Sequence, residues 1–387
     1  MLSQPGNHCQ PLKPKKSILL KKQISGLFQP IDRLLFFVIG FRKIEKKIQK
    51  GGTAMARPTG RVTLQDVAKA TGYTPNTVSR ALKNKSDISV QTREYIQKTA
   101  REMGYVRNYI ASSLRSGRTK TIALIAGSMI NPFYSILGDL IQQEAVRLGY
   151  SLMILCTRDD IEMEYSMVEM ALSRQVDGIL LIPFAAGAPA LDLLRESRVP
   201  YVLLNRYAGN DRDDCILCDE EQGGYLAAKH LIDSGHRKLA MLSYSDVEYS
   251  TRTRWEGFRR ACREAGIPEE DTAFTIMRGK EEIIAQLKAW HSQGFTGLFS
   301  FCDDEAWGTM TLIERAGLRV PDDFAIVGFD NILGYLDFPR PICSIDTGFR
   351  EEASLSIDLL RTRIHEPDLP PQQITLPVSL ICRESCR

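Results

Sequence analysis

From Thr121 to the C-terminus the chain alternates between short apolar runs and amphipathic stretches, and no other feature restricts its fold so strongly. IALIAG is a buried strand, and Pro132 to Leu148 carries apolar residues at the 3.6-residue spacing of a helix. YSLMILC, a helix from Met163 to Ser173 and VDGILLIP repeat the pattern, and PYVLLN and DCILCD add two more strands. A helix from Gly223 to Ser234, the strand KLAMLS and a helix from Thr253 to Ala265 continue it, followed by the strands FTGLFSFC and FAIVGFD. Strands separated by helices cannot pair as hairpins. They form parallel sheets with right-handed crossovers, so this part of the chain is α/β.

The stretch Thr63 to Leu82, TLQDVAKATGYTPNTVSRAL, follows a different rule. Thr63 stands three residues before Asp66, the spacing of a capping box, so its hydroxyl accepts from an orphan amide of a first helix. Leu64, Val67 and Ala68 share one face of that helix, and Gly72 supplies the positive φ that ends it. Thr74 caps a second helix with Pro75 at its first position, where a missing amide hydrogen costs nothing. Val78, Ala81 and Leu82 point to one side of this helix, and Asn76, Arg80 and Lys83 to the other. Two short helices joined at a glycine, the second presenting an amide and a guanidinium, fit a DNA major groove. A helical hairpin with a merely solvated polar face is the alternative. Ser89 then caps a third helix running to Met103, with Ile96, Ala100 and Met103 on its apolar side and Gly104 as its stop.

The pattern Thr-x-x-Asp-Val-Ala, a glycine turn and Thr-Val-Ser-Arg-x-Leu, followed by the Ile88 to Arg93 lead-in to the third helix, resembles the headpiece of the LacI/GalR-type repressors. That family includes the lactose, galactose and purine repressors, and the resemblance continues along the chain to the C-terminus. It implies a helix-turn-helix headpiece over 61–106, a hinge over 107–118 and a two-subdomain, periplasmic-binding-protein-like core of parallel sheets over 119–387. The N-subdomain would comprise about 119–217 plus 346–370, and the C-subdomain about 218–345 plus 371–387. DNA contacts are implied for Thr63, Thr74, Pro75, Asn76, Thr77, Ser79 and Arg80, and for Asn108 and Leu114 in the hinge. In the family the hinge folds on operator DNA and a leucine wedges into the minor groove. Leu114 occupies that place, whereas Arg107 replaces the usual proline and Ser112 the usual arginine.

Charge supports the division. Residues 1–54 carry 11 basic and 2 acidic side chains, residues 55–118 carry 12 and 4, and residues 119–387 carry 27 and 41. A basic module ahead of an acidic body is the footprint of a polyanion binder joined to a separate domain. Residues 1–54 lack a readable framework, and their longest apolar run, Leu34 to Phe41, is far below the roughly 20 residues of a bilayer span. They read either as a basic arm or, as favoured here, as a mistranslated leader. In that case Lys50-Gly51-Gly52 reflects a ribosome-binding sequence and the native chain opens at Met55.

The nine cysteines read as reduced thiols of a cytosolic protein. A zinc site would need Cys215 and Cys218 to converge with Cys382 and Cys386, and the first pair lies in a strand whose positions three apart face opposite sides. The five histidines show no metal-ligand grouping, and no P-loop, GxGxxG, HExxH or GxSxG occurs. No enzyme, cofactor or metal site is expected.

Ligands of open α/β sheets bind beyond the carboxyl ends of strands. Those positions hold Asn131-Pro132-Phe133-Tyr134, Asn205-Arg206, Asp219, Ser250 to Arg254, Cys302-Asp303 and Asp330-Asn331. The resemblance implies effector ligands at Arg254 and Asp330, an aromatic wall of Phe133 and Tyr134, and Asn205 where relatives often place aspartate. Asp303 reads instead as a structural cap. The expected function is a cytoplasmic, homodimeric transcriptional regulator, a repressor of double-stranded operator DNA controlled by a sugar or sugar derivative, with no membrane partner. The dimer follows from the absence after the last strand of the leucine-rich helix that tetrameric relatives carry. A solute-binding protein of a transport system, which shares the core fold, is the rival reading.

Overall fold

The structure, a computed structural model, describes residues 62–106, 117–206, 209, 212–245, 249–337 and 339–386. The segment expected to be a leader or arm, Met55, and the hinge residues Asn108 and Leu114 lie outside the described residues. The chain divides into two compact units, Met1–Arg107 and Asn108–Arg387.

The first unit contains α1 (Leu64–Thr71), α2 (Pro75–Leu82) and α3 (Val90–Glu102). Thr63 forms the complete capping box: its hydroxyl accepts from the Asp66 amide, and the Asp66 carboxylate accepts from the Thr63 amide at 2.9 Å. Gly72 ends α1 at φ 76°, a left-handed conformation that a Cβ would disfavour. Thr74 caps α2 through the Thr77 amide at 3.2 Å, and Ser89 caps α3 through Thr92. Val67, Ala68, Val78, Ala81, Ile96 and Ala100 form one small core, so each helix buries its apolar face against the other two. Arg93 of α3 donates to the carbonyls of Lys85 and Ile88, and Gln97 donates to the Ala81 carbonyl. The loop after α2 is thereby tied to α3.

The second unit begins with β1 (Thr121–Ala126), α4 (Pro132–Arg147), β2 (Ser151–Cys156), α5 (Ile161–Ser173), β3 (Gly178–Leu181), α6 (Pro189–Ser197), β4 (Tyr201–Leu204) and β5 (Cys215–Cys218). It continues with α7 (Glu220–Asp233), β6 (Leu239–Ser243), α8 (Tyr249–Glu264), β7 (Thr272–Ile276), α9 (Lys280–Ser292), β8 (Gly297–Ser300), α10 (Asp303–Arg315) and β9 (Ala325–Asp330). β10 (Cys343–Asp346), α11 (Phe349–His365), β11 (Gln373–Leu376) and β12 (Ser379–Ile381) complete it.

Two six-stranded sheets result, in the orders β11-β5-β4-β3-β1-β2 and β12-β10-β9-β8-β6-β7. The first is parallel throughout, and in the second only β12 runs antiparallel, against β10. Buried clusters cover both faces of each sheet. Helices α4 and α11 pack on one face of the first sheet and α5 and α6 on the other. The second sheet is covered by α7 and α8 on one face and by α9 and α10 on the other. The central strands of both sheets, β10 apart, are therefore apolar almost throughout, as two-sided burial requires.

One expected boundary needs correction. The sequence reading gave everything after residue 370 to the second half, but β11 pairs with β5 in register Gln373↔Cys215 and so belongs to the first sheet. The chain returns to the second sheet only at β12. QITL buries just Leu376, because β11 is an edge strand, and its short, half-polar sequence offers little strand signal.

Candidate functional site

The carboxyl ends of both sheets face an open cleft. Phe133, Tyr134, Asn205, Arg254 and Asp330, the five residues singled out from sequence, all line it. Asn131, Ile182 and Arg206 join them from the first half, and Glu220, Tyr244, Ser250, Phe301 and Cys302 from the second.

Asn131 caps α4 by accepting from the Phe133 amide at 2.9 Å, and Pro132 occupies the first helical turn. This fixed helix start presents Phe133, whose ring stands edge-on to Tyr134 with centroids 5.3 Å apart. Phe349 supports Phe133 from behind at 5.2 Å. The aromatic wall is thus held by packing before any ligand arrives.

On the opposite side Arg254 is almost fully buried. Its Nε donates to Glu220 Oε2 at 2.5 Å and its Nη1 to the Phe301 carbonyl. The guanidinium lies 3.5 Å from the Phe329 ring centroid and 4.3 Å from that of Phe301. Burial works against its charge, but Glu220, with a smaller contribution from Asp330, offsets this and keeps it a cation. Two of its three nitrogens are committed to protein, which orients the third side of the fork.

Asp330 ends β9 at φ 100°, a conformation that a non-glycine residue adopts only under constraint. Burial drives its carboxyl well above the usual range, opposed by Arg254 and reinforced by Asp303, Glu220 and Glu352. The adjoining loop is fixed by Asp303, which accepts from Ser344 Oγ at 2.7 Å and the Ile332 amide at 2.8 Å. Asp303 acts through these bonds as a structural anchor and not as part of the cleft lining. Asn205 sits at φ 60° and donates its side-chain amide to Glu352 at 2.5 Å, so its orientation is set by α11.

Sequence reasoning missed Ile182, Cys218, Glu220, Tyr244, Phe301 and Thr347 as lining residues. Glu220 is the most consequential, and its signal was the position directly after strand DCILCD, at the first turn of α7.

The headpiece presents a second candidate surface. Thr63, Thr74, Pro75, Asn76 and Arg80 are exposed, and Thr77 and Ser79 are half-buried. Asn76 and Arg80, one turn apart on α2, share a polar face opposite buried Val78 and Ala81. Arg80 is held by Asp87 at 2.6 Å, a partner that lies in the loop tied down by Arg93. Asp87 and Arg93 were not among the expected site residues, although the lead-in containing Arg93 was recognised.

The described cysteines are free, as expected. Cys215 and Cys218 stay in β5, Cys215 in a cluster on one face of the first sheet and Cys218 in the cluster that also holds Cys386, and neither belongs to a grouping of possible metal ligands. The C-terminal cysteines instead lie near Cys343 and His230, a grouping that sequence spacing did not reveal. Among the described residues no helix is long and apolar enough to cross a membrane.

Comparison with known proteins places both parts of the chain among known domains. Residues 63–108 match the profile of the bacterial regulatory proteins of the lacI family, and residues 228–386 match a periplasmic binding protein-like domain. The HTH-type transcriptional regulator DegA of Bacillus subtilis is 32% identical over 337 residues, covering 84% of this chain and 98% of DegA. The HTH-type transcriptional repressor PurR of Mannheimia succiniciproducens is 28% identical over 331 residues, covering 84% and 98%. Among solved structures, the lac repressor dimer bound to operator and the anti-inducer ONPF aligns with a TM-score of 0.72 at 25% identity, covering 84% of this chain and 99% of that one. The complex of the regulator CelR with cellobiose aligns at 0.61 and 25% identity, covering 84% and 100%. With a helix-turn-helix headpiece, a two-sheet core and relatives matched almost end to end, the chain belongs to the LacI family of DNA-binding transcriptional regulators.

Proposed function

We propose that this regulator is a cytoplasmic repressor that binds a pseudo-palindromic operator as a homodimer and is controlled by a neutral, hydroxylated ligand of the sugar class in the cleft. The observation that carries the effector reading is the buried Arg254–Glu220 pair beside Asp330, opposite the Phe133–Tyr134 wall. An aromatic face and fixed, bidentate polar groups are the usual means of recognising a sugar ring, which is apolar above and below and hydroxylated at its edge. The two arginines of the lining are engaged by Glu220 and by main-chain carbonyls of Pro183 and Phe184, which disfavours a phosphorylated ligand. The solved CelR structure holds cellobiose, and two other aligned regulators hold D-xylulofuranose and ribose.

Because the lining comes from both halves, a bound ligand favours the closure in which it contacts both, and so biases the geometry presented to DNA. On the DNA side, Asn76 and Arg80 have bidentate reach to base edges, with Thr63, Thr74, Pro75, Thr77 and Ser79 placed to position the helix against phosphates. By the family resemblance, Asn108 and Leu114 of the hinge also contact DNA, Leu114 as a wedge in the minor groove.

The test is a thermal-shift screen of sugars, sugar phosphates and purines against the full chain. A neutral sugar should raise the melting temperature, and the gain should disappear in Asp330→Ala and in Arg254→Ala. A hit whose shift survives both substitutions would show that the ligand binds elsewhere, and a hit among sugar phosphates only would overturn the ligand class.

A further inference from the structure

A second cluster lies in the second half, at the end of α7 remote from Glu220. His230 comes ten residues after Glu220, about 15 Å along the helix at 1.5 Å per residue. Its ring faces the first residue of β10, Cys343, and the C-terminal Cys386, with one donor atom of each within 4.8 Å of the other two. Exposed Cys382 stands outside this grouping, with Sγ 4.0 Å from His230 Nδ1. Both cysteines of the grouping are buried, and His230 Nε2 is buried without a hydrogen-bond partner. An imidazole nitrogen left unsatisfied among thiols is costly as mere packing, and a ligand would satisfy it.

The frame around the cluster is rigid. Ser385 Oγ accepts from the Cys343 amide at 2.8 Å and donates to the Ile326 carbonyl at 2.6 Å. The Arg383 amide donates to Cys343 Sγ at 3.1 Å, a contact that favours the thiolate a metal requires. The Cys-x-x-x-Cys segment is therefore pinned against β9 and β10 while its two sulfurs flank the histidine.

We propose that His230, Cys343 and Cys386 bind one zinc ion, which fastens the C-terminal segment to α7. Two thiolates and one imidazole nitrogen are suitable zinc donors, and a water molecule completes the tetrahedron. Ligand atoms around zinc stand roughly 3.5–3.8 Å apart, so the cluster contracts by about an ångström on binding. Cys386 Sγ, which donates to the Ile326 carbonyl at 3.0 Å, turns away from it on losing its proton. The zinc ion replaces up to two thiol protons, which leave to solvent, and nothing is oxidised or reduced.

Full chain purified in reductant without chelator should carry one zinc per chain by elemental analysis. After removal of that metal, cobalt(II) should bind one per chain with thiolate-to-cobalt absorption, and zinc should displace it. His230→Gln and Cys386→Ser should each weaken uptake by more than the roughly 10–100-fold that loss of an outer-shell partner costs. Zinc should raise the melting temperature of the unsubstituted chain and of Cys156→Ser, but not of the two ligand variants. Folded, reduced protein that takes up neither metal would overturn the site. So would uptake unchanged in either ligand variant, or a Cys343–Cys386 disulfide forming in air in protein that binds no metal once reduced.

Discussion

Replacing Gly224 with alanine should disable the cleft through the backbone. Helices α7 and α8 meet at two glycines: a Cβ on Gly224 would stand 1.9 Å from the Arg254 carbonyl oxygen, and one on Gly257 would stand 1.8 Å from that of Glu221. Real Cβ contacts do not fall below 3.0 Å, so a methyl at Gly224 demands more than about 1 Å of separation, and the obstacle is main chain that cannot rotate aside. That displacement falls on the helices carrying Glu220 and Arg254, whose 2.5 Å pair would open beyond hydrogen-bonding range. Overpacking of this kind costs roughly 1–3 kcal/mol, and the rigid obstacle places Gly224→Ala at the upper end. Gly308 in α10 is the internal comparison. A Cβ there meets nothing within 4 Å, so Gly308→Ala should stabilise by roughly 0.5–1 kcal/mol through helix propensity alone. All three tryptophans, Trp255, Trp290 and Trp307, lie in the second unit, so urea unfolding followed by tryptophan fluorescence reports on it without the headpiece. Equal midpoints for the two alanine variants would refute the helix-contact reasoning, as would an unchanged ligand-induced shift in Gly224→Ala.

Other outcomes follow from particular contacts. Burial pushes the Glu305 carboxyl up to about 8 from an ordinary 4.5, so the folded chain keeps a proton there that the unfolded chain has lost, and stability falls as pH rises from about 4.5 to 8. Glu305→Gln keeps an acceptor for the Phe301 amide and removes that slope, so its stability relative to the unsubstituted chain should gain roughly 2–3 kcal/mol between pH 5.5 and 7.5 in urea titrations; parallel curves would contradict the buried, protonated carboxyl. Thr63→Ala removes the α1 cap and should destabilise the headpiece by about 1 kcal/mol, read from its thermal unfolding by circular dichroism. Asp87→Asn weakens the tether on Arg80 and should change operator affinity without altering effector binding in the core, which fluorescence titration of both ligands would show.

The parts of the structure that were legible in sequence are those where local chemistry and tertiary packing agree. The caps at Thr63, Thr74 and Ser89, the turn at Gly72 and the apolar faces of the headpiece helices all follow from short-range rules. The central strands β1, β3, β4, β6, β8 and β9 are short apolar runs because both sheet faces are covered. The strands that escaped notice are β7, β10 and β11. β7 is an edge strand of intermediate burial preceded by an acidic turn, and β10 and β11 are four-residue segments broken by polar side chains. Their pairing comes from crossovers over long sequence separations, which no local pattern records. The cleft followed the same division. The family resemblance, applied to positions beyond strand ends, located Arg254, Asp330, Asn205, Phe133 and Tyr134, whereas Glu220 and Phe301 emerged only once α7 and α8 were packed together. The Arg80–Asp87 pair and the His230–Cys343–Cys386 cluster likewise depend on chain segments that spacing cannot bring together.

Whether α2 reads base edges is tested most directly by selecting duplexes from a random pool with the full chain and then measuring affinity for a selected and a random duplex at fixed salt. The selected sites should converge on a pseudo-palindrome with half-sites about one helical turn apart, bound roughly a thousandfold or more tighter than random DNA. Arg80→Ala should weaken the selected site by roughly ten- to a hundredfold and random DNA far less. Failure of the pool to converge, or equal losses on both duplexes, would mean that Arg80 serves only phosphate attraction and that this helix does not specify sequence.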